Sequence, residues 1–258
     1  MEKWIITTKT KPKEKEVDEA RNLAKNLNCK YEIRKEKTLK KISTENNSSP
    51  ILIISNKQGL KAYTPNQKIW FWHPGLSKIR IGSLRNNLPD HLYRSVKPKK
   101  GMKILDANLG MAHDALVLAS CGANVTGLEK DKFIHLITSE GLKRVNENTE
   151  YPKFIREAAL NIQTKCIDNE TYIQNSKNNF DVVCFSPMFI KPKFKSDDMM
   201  PLREVALKSW PTKKTIKRSL EIAKKVVIKV EYEKHQQLPE PTRWSHGQGS
   251  RVAYAIYE

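Results

Sequence analysis

The sequence predicts an α/β protein in which a mainly parallel sheet follows a smaller N-terminal α/β domain, and three observations carry that prediction. From Lys103 onward, short apolar segments alternate with stretches of helical periodicity, as in strands joined by crossover helices. The first of those segments ends at Asp106 and enters a turn around Gly110, and a second acid, Glu129, closes the next segment 23 residues later. Charge is also uneven: residues 1–100 hold 23 basic and 9 acidic side chains, whereas residues 101–258 hold 24 and 19. The excesses of +14 and +5 set a basic N-terminal part against a more balanced remainder.

In chain order, residues 4–8 predict a strand, and residues 17–27 a helix with Val17, Ala20, Leu23, Ala24 and Leu27 on one face. The polar run 43–50 predicts a loop between this helix and an apolar strand at 51–54. A strand at 69–72 and a helix at 76–84 complete the N-terminal part. Trp70 and Trp72 alternate with Phe71 as in a strand packed on both faces, so core packing is preferred to base stacking for these rings. The basic turn 97–101 predicts the boundary between a domain of residues 1–100 and one of residues 101–258. Beyond it the pattern gives a strand at 102–107, a helix at 112–120, a strand at 123–128 and a helix at 132–145. Further strands are predicted at 162–167, 181–185, 225–230 and 252–257.

Composition narrows the class of function. A net charge of +19 over 258 residues suits a polyanionic partner, with nucleic acid the first candidate and a merely solvated Lys-rich surface the alternative. Cys29, Cys121, Cys166 and Cys184 form no C-x-x-C pair and lie beside or within apolar segments, which predicts buried thiols in a reducing cytoplasm. No apolar run approaches bilayer length, so no membrane partner is expected. The six histidines show no ligand pair at helical or loop spacing, and no metal site is expected.

The strand-ending turn Asp106-Ala-Asn108-Leu-Gly110-Met-Ala-His113-Asp114 brings backbone close to a ligand before a helix begins. Asn108 and Ala112 replace two of the glycines that a pyrophosphate fingerprint needs, which disfavours a nicotinamide-dependent oxidoreductase. Glu129 at the end of the second strand is placed to accept hydrogen bonds from both ribose hydroxyls of a nucleoside-like ligand. Directly after the strand at 181–185 comes Ser186-Pro187-Met188-Phe189, similar to the motif of amino-directed nucleobase methyltransferases. An exocyclic base nitrogen is a poor nucleophile, so the site must hold it in line and accept its N–H bonds. Ser186 Oγ and the Pro187 carbonyl supply acceptors, and Phe189 a stacking face.

Together these segments resemble the bacterial small-subunit ribosomal RNA guanine-N2 methyltransferase family, the RsmJ-like proteins. The resemblance rests on residues 104–119, on Gly127-Leu-Glu-Lys130 with Ser139-Glu-Gly-Leu142, and on residues 181–189, and extends to 73–84 and 249–257. It implies a Rossmann-like class I methyltransferase sheet, S-adenosyl-L-methionine as cofactor, and guanine N2 of small-subunit ribosomal RNA as target. It also implies that His113 with Asp114, Glu129 with Lys130, and Asp168 with Asn169 contact the cofactor, alongside Asp106, Asn108, Gly110 and Ser186. His113 and Lys130 stand where the family carries arginine, and Ser186 where it carries aspartate. Ser186 has no charge to offset a developing cation, which leaves open a different target base.

Two basic segments are candidate RNA contacts: Arg34, Lys35, Lys37, Lys40 and Lys41 in the N-terminal part, and Lys191, Lys193 and Lys195 after the Ser-Pro-Met-Phe motif. The competing function is an RNA-binding or ribosome-assembly protein whose Rossmann-like domain is catalytically impaired; cofactor binding separates the two.

Overall fold

The computed structural model describes residues 4–55, 59–64, 68–187, 210–231, 238–246 and 252–258. The chain divides into two compact units between His73 and Pro74. The first contains β1 (Ile5–Thr8), α1 (Glu14–Leu27), β2 (Lys30–Tyr31), α2 (Leu39–Glu45), β3 (Ile51–Ser55), β4 (Gly59–Tyr63) and β5 (Ile69–Phe71). Its five-stranded sheet has the order β2-β1-β3-β4-β5, with β1 parallel to β2 and β3, and β4 antiparallel to β3 and β5. β1 is buried along its whole length, as expected for a parallel strand covered on both faces. Ala20 and Ala24 form the buried stripe of α1.

Two expectations fail here for identifiable reasons. Residues 43–45 belong to α2, because Thr38 caps that helix by accepting the Lys41 N–H and Leu39 and Ile42 bury one turn apart. β5 is one-sided: Trp70 and Trp72 are buried, while Ile69 and Phe71 are 53% and 43% exposed. Its pairing with β4 leaves one face of the alternating pattern in solvent.

The second unit begins with α3 (Gly75–Arg85) and α4 (His91–Val96), so the division falls ahead of the basic turn at 97–101 rather than on it. α3 is tied to the later chain, since Arg80 pairs with Asp114 and Ser77 Oγ lies 2.9 Å from His113 Nδ1. There follow β6 (Lys103–Asp106), α5 (His113–Ser120), β7 (Asn124–Glu129), α6 (Lys132–Glu147), α7 (Lys153–Leu160), β8 (Ile162–Cys166), α8 (Asn169–Asn175) and β9 (Phe180–Phe185). The described residues end with α9 (Lys213–Ile222), β10 (Ala223–Glu231), β11 (Arg243–His246) and β12 (Val252–Tyr257).

The seven-stranded sheet has the order β11-β12-β10-β9-β6-β7-β8. β8, β7, β6, β9 and β10 run parallel, whereas β12 is antiparallel to both its neighbours, so the sheet is mainly parallel, as expected, with antiparallel pairing at one edge. Leu105, Val183, Phe185, Val226 and Ile228 sit at the centre with 0–1% exposure. Burying each such side chain contributes about 1.5–3 kcal/mol, so the middle of the sheet is the rigid part of the unit. The chain passes from β6 to β7 on one side and returns to β9 on the other. At this reversal of strand order, the carboxyl ends of β6 and β9 open a crevice.

Of the four cysteines only Cys184 is buried; Cys29 and Cys121 are half-buried and Cys166 is exposed, which corrects the expectation of four buried thiols. Cys166 ends an edge strand, which has no neighbouring strand on one side.

Candidate active site

Four strand ends converge at the crevice. β6 delivers Asp106, β7 Glu129, β9 Ser186 just past Phe185, and β8 leads into Asp168 and Asn169 at the start of α8. The turn after β6 is fixed by backbone and side-chain bonds: Leu109 N–H donates to the Leu128 carbonyl at 2.9 Å, and Thr138 Oγ1 to the Gly110 carbonyl at 2.7 Å. Gly110 lies in the left-handed region at φ 49°, where a side chain is disfavoured. Gly127 is required by close approach, because a Cβ there would lie 2.4 Å from Leu109 Cδ1.

Glu129 braces this turn. Its Oε2 accepts the Gly110 N–H at 3.1 Å and its Oε1 the Asp131 N–H at 2.8 Å. Burial pushes its carboxyl above the usual range, opposed by those backbone N–H groups. Each oxygen keeps a lone pair for a further donor.

Asp106 is 1% exposed; its Oδ1 accepts the Asn108 N–H at 3.2 Å, and its Oδ2 has no hydrogen-bond partner among the described residues. Burial, then the negative charge of Asp114, pushes its carboxyl up to about 7. A buried acceptor without a donor is costly unless a ligand completes it, and a cationic donor fits it best.

Asp114, in the first turn of α5, is the opposite case. Burial raises its carboxyl, but Lys229 and Arg80 overcome this and hold it well below the usual range. Lys229 Nζ lies 3.4 Å away, Arg80 forms an ion pair with it, and Ser186 Oγ donates to its Oδ2 at 3.0 Å. Arg80 also reaches Asp90 at 2.8 Å. Ser186 N–H in turn donates to Asn108 Oδ1 at 3.2 Å, which ties the ends of β6 and β9 together. At the far side Lys130 pairs with Asp168 at 3.0 Å, Asp168 caps α8 through the Thr171 N–H, and Asn169 Nδ2 donates to the Ala107 carbonyl at 3.0 Å.

The structure therefore gathers Asp106, Asn108, Gly110, His113, Asp114, Glu129, Lys130, Asp168, Asn169, Ser186 and Pro187 around the ends of the central strands. Phe189, Lys191, Lys193 and Lys195 lie outside the described residues. Two residues of the charge network escaped the sequence reading, Arg80 and Lys229. The signal for Lys229 was a lysine interrupting the apolar strand Val226-Val-Ile-Lys-Val230.

In the first unit, Lys35, Lys37 and Lys41 line an open depression of about 530 Å3. Lys37 is already paired with Glu32 and Glu45, both at 2.9 Å, and Arg34 is half-buried with Nε on the Lys37 carbonyl. Lys35, Lys40 and Lys41 are exposed. Among the described residues no cluster of three His, Cys, Asp or Glu side chains could hold a metal ion, and no helix is long and apolar enough to cross a membrane.

Comparison with known proteins places these features in context. Residues 72–257 match a family described as "Putative SAM-dependent methyltransferase". The uncharacterized protein YpiP of Bacillus subtilis is 28% identical over 230 residues, 87% of each chain. Ribosomal RNA small subunit methyltransferase J of Francisella tularensis is 32% identical over 100 residues, 39% of each chain. A crystal structure of a SAM-dependent methyltransferase from Neisseria gonorrhoeae superposes with a TM-score of 0.62 at 17% identity, covering 98% of this chain and 95% of that one, and so shares its fold.

Proposed function

The chain belongs to this family of S-adenosylmethionine-dependent methyltransferases, and from that premise we propose that it methylates an exocyclic amino group of a ribosomal RNA base, with guanine N2 of the small subunit as the target. The Ser186–Asp114 hydrogen bond at the carboxyl end of β9, beside Asp106 and Glu129, carries the proposal. The similarity to ribosomal RNA small subunit methyltransferase J supports the RNA class of substrate.

The unpartnered Oδ2 of Asp106 fits the ammonium of a methionyl group, and the free lone pairs of Glu129 fit vicinal ribose hydroxyls. Gly110 lets the backbone approach the ligand, with Asn108, His113 and the Lys130, Asp168 and Asn169 group completing the pocket wall. The bound cofactor supplies an electrophilic methyl group on a sulfonium sulfur.

The protein's part is to align and deprotonate the amine. Ser186 Oγ commits its own proton to Asp114, so its lone pairs remain to accept an amino N–H; the Pro187 carbonyl offers a second acceptor. Acceptance of that methyl group by the amino nitrogen would leave positive charge on the nitrogen. Asp114 supplies, one bond removed, the negative charge that serine lacks. The methylated amino cation is strongly acidic, so even a depressed carboxylate suffices to draw off its proton through Ser186. Phe189 is assigned to stack on the base, and Arg34, Lys35, Lys37, Lys40, Lys41, Lys191, Lys193 and Lys195 to neutralise RNA phosphates in the cytoplasm.

The test is calorimetry with S-adenosylmethionine, followed by transfer of labelled methyl to small-subunit ribosomal RNA and nucleoside mass spectrometry. N2-methylguanosine is expected; label on another base would refute the guanine assignment. Absence of cofactor binding would favour the assembly-protein reading, which the serine at 186 and the basic N-terminal part support.

A further inference from the structure

Apart from the crevice, the second unit carries a cavity of about 550 Å3 lined by Arg85, Leu88, Tyr93, Arg94, Cys121 and Phe154, among others. Cys121 follows the last turn of α5, so the cavity lies at the opposite end of that helix from His113 and Asp114. Its volume lies within the range of about 300–1,000 Å3 usual for pockets that hold one small organic group.

The chemistry of its walls is selective. Leu88 and Tyr93 are 55% and 39% exposed, and the Arg85 guanidinium lies 5.0 Å over the Phe154 ring. From Lys78 to Lys103 the chain carries eight basic residues and one acid, Asp90. Asp90 is neutralised by Arg80 and caps α4 through the Tyr93 N–H. Arg85, Arg94, Lys97, Lys99 and Lys100 are exposed, and among the described residues none is in an ion pair with a carboxylate. Cations beside flat apolar surfaces match a chain of alternating phosphates and bases better than they match a lipid or an uncharged ligand.

We infer that this groove binds a single-stranded RNA segment outside the target nucleotide, with a base against Tyr93 and adjacent phosphates on Arg85 and Arg94. The inference rests on the ribosomal RNA reading of the crevice and names a second place where that substrate is held. α3 carries Ser77, beside His113, in its first turn and ends with Arg85 at the groove, so one helix leads from the catalytic crevice to the docking groove. The basic segment of the first unit has its central lysine paired internally, whereas the groove cations have no such competitors.

Fluorescence anisotropy with a fluorescein-labelled 12-nucleotide oligouridylate, across a series of salt concentrations, tests the inference on the full chain. R85Q/R94Q is expected to weaken binding at least tenfold and to lower the slope of log K against log salt by about 1.4, two single-strand phosphates at about 0.7 each. Y93A is expected to weaken binding about tenfold with the slope unchanged, since stacking releases no counterions. S-adenosylmethionine affinity, measured by calorimetry on the same proteins, should be unchanged. If the wild type binds the cofactor and methylates RNA while both variants bind oligouridylate as it does, the groove assignment falls and the catalytic reading stands. If the wild type binds oligouridylate in this groove but no cofactor, the catalytic reading falls alone. Displacement of the RNA by polyglutamate as effective, charge for charge, as by unlabelled oligouridylate would overturn the proposal in favour of an acidic protein partner.

Discussion

Ser186 Oγ donates its proton to Asp114 Oδ2 at 3.0 Å, so a neutral side chain at the end of β9 is coupled to a carboxylate on α5. Replacing the hydroxyl removes the acceptor and the coupling together. Ser186→Ala is expected to lower kcat by about 10²–10³-fold, the cost of removing one transition-state hydrogen-bonding group, while leaving the Kd for S-adenosylmethionine within a factor of three of wild type. Single-turnover kinetics with calorimetry would check it; an equal loss in both quantities would place Ser186 in cofactor binding instead.

Arg80 holds Asp90 and Asp114 together with its side chain only 19% exposed. Breaking a buried ion pair leaves an uncompensated charge, typically at about 3–5 kcal/mol, and the remaining Lys229 near Asp114 puts Arg80→Met toward the lower figure. Urea denaturation should show that loss, and a change under 1 kcal/mol would mean that the network is not structural.

Glu129→Gln keeps one oxygen acceptor but replaces the other with a donor. It should weaken S-adenosylmethionine binding about tenfold or more, because the replaced oxygen faces backbone N–H groups of Gly110 or Asp131 and a ribose hydroxyl loses its charged acceptor. Calorimetric titration reads this directly.

Asp106 gives a pH dependence of definite sign. Its folded carboxyl is raised to about 7 from an ordinary 3.8. Between those values the folded state holds a proton that the unfolded state has lost, so stability from this group falls as pH rises from about 4 to 7. Asp106→Asn should therefore raise Tm most at pH 8, less near pH 5, and have little effect only below about pH 4. Affinity for the cationic cofactor should move the other way in the wild type, rising as Asp106 ionises near pH 7, and should be flat in the variant. A cofactor Kd independent of pH in both proteins would remove Asp106 from the ammonium site.

Gly127 has no room for a side chain, since a Cβ would meet Leu109 at 2.4 Å. Gly127→Ala is expected to cost about 1–3 kcal/mol by overpacking and to displace the turn that carries Gly110, so thermal stability and cofactor affinity should fall together.

The strands of the second unit were readable because β6, β9 and β10 each carry a short apolar core (Ile104-Leu105, Val182-Val-Cys-Phe185, Val226-Val-Ile228), and the acids that end β6 and β7 mark the binding edge. The helices α4, α7, α8 and α9 were not read. α4 and α8 are only 6 and 7 residues long, too short for a periodic signal, and α9 carries mostly charged residues between Ile216 and Ile222. β4 was obscured by Gly59 and Lys61, and β11 pairs only along β12, so its pattern is set by a neighbour rather than by its own sequence. The candidate site was legible where one residue ends one strand. It was illegible where function depends on partners far apart in sequence: Arg80 lies 34 residues and Lys229 115 residues from Asp114.

β12 enters the sheet between β10 and β11, although it follows both in the chain. β11 therefore has nothing to pair with until β12 arrives, and β10, with Val226, Val227, Ile228 and Val230 fully or almost fully buried, keeps a bare apolar edge until the same moment. Six residues, Val252–Tyr257, thus act as the closing clasp of the catalytic unit. Loss of this short segment by proteolysis would set β11 free and bare the apolar edge of β10, which stays paired with β9, turning a small cut into self-association of the whole chain.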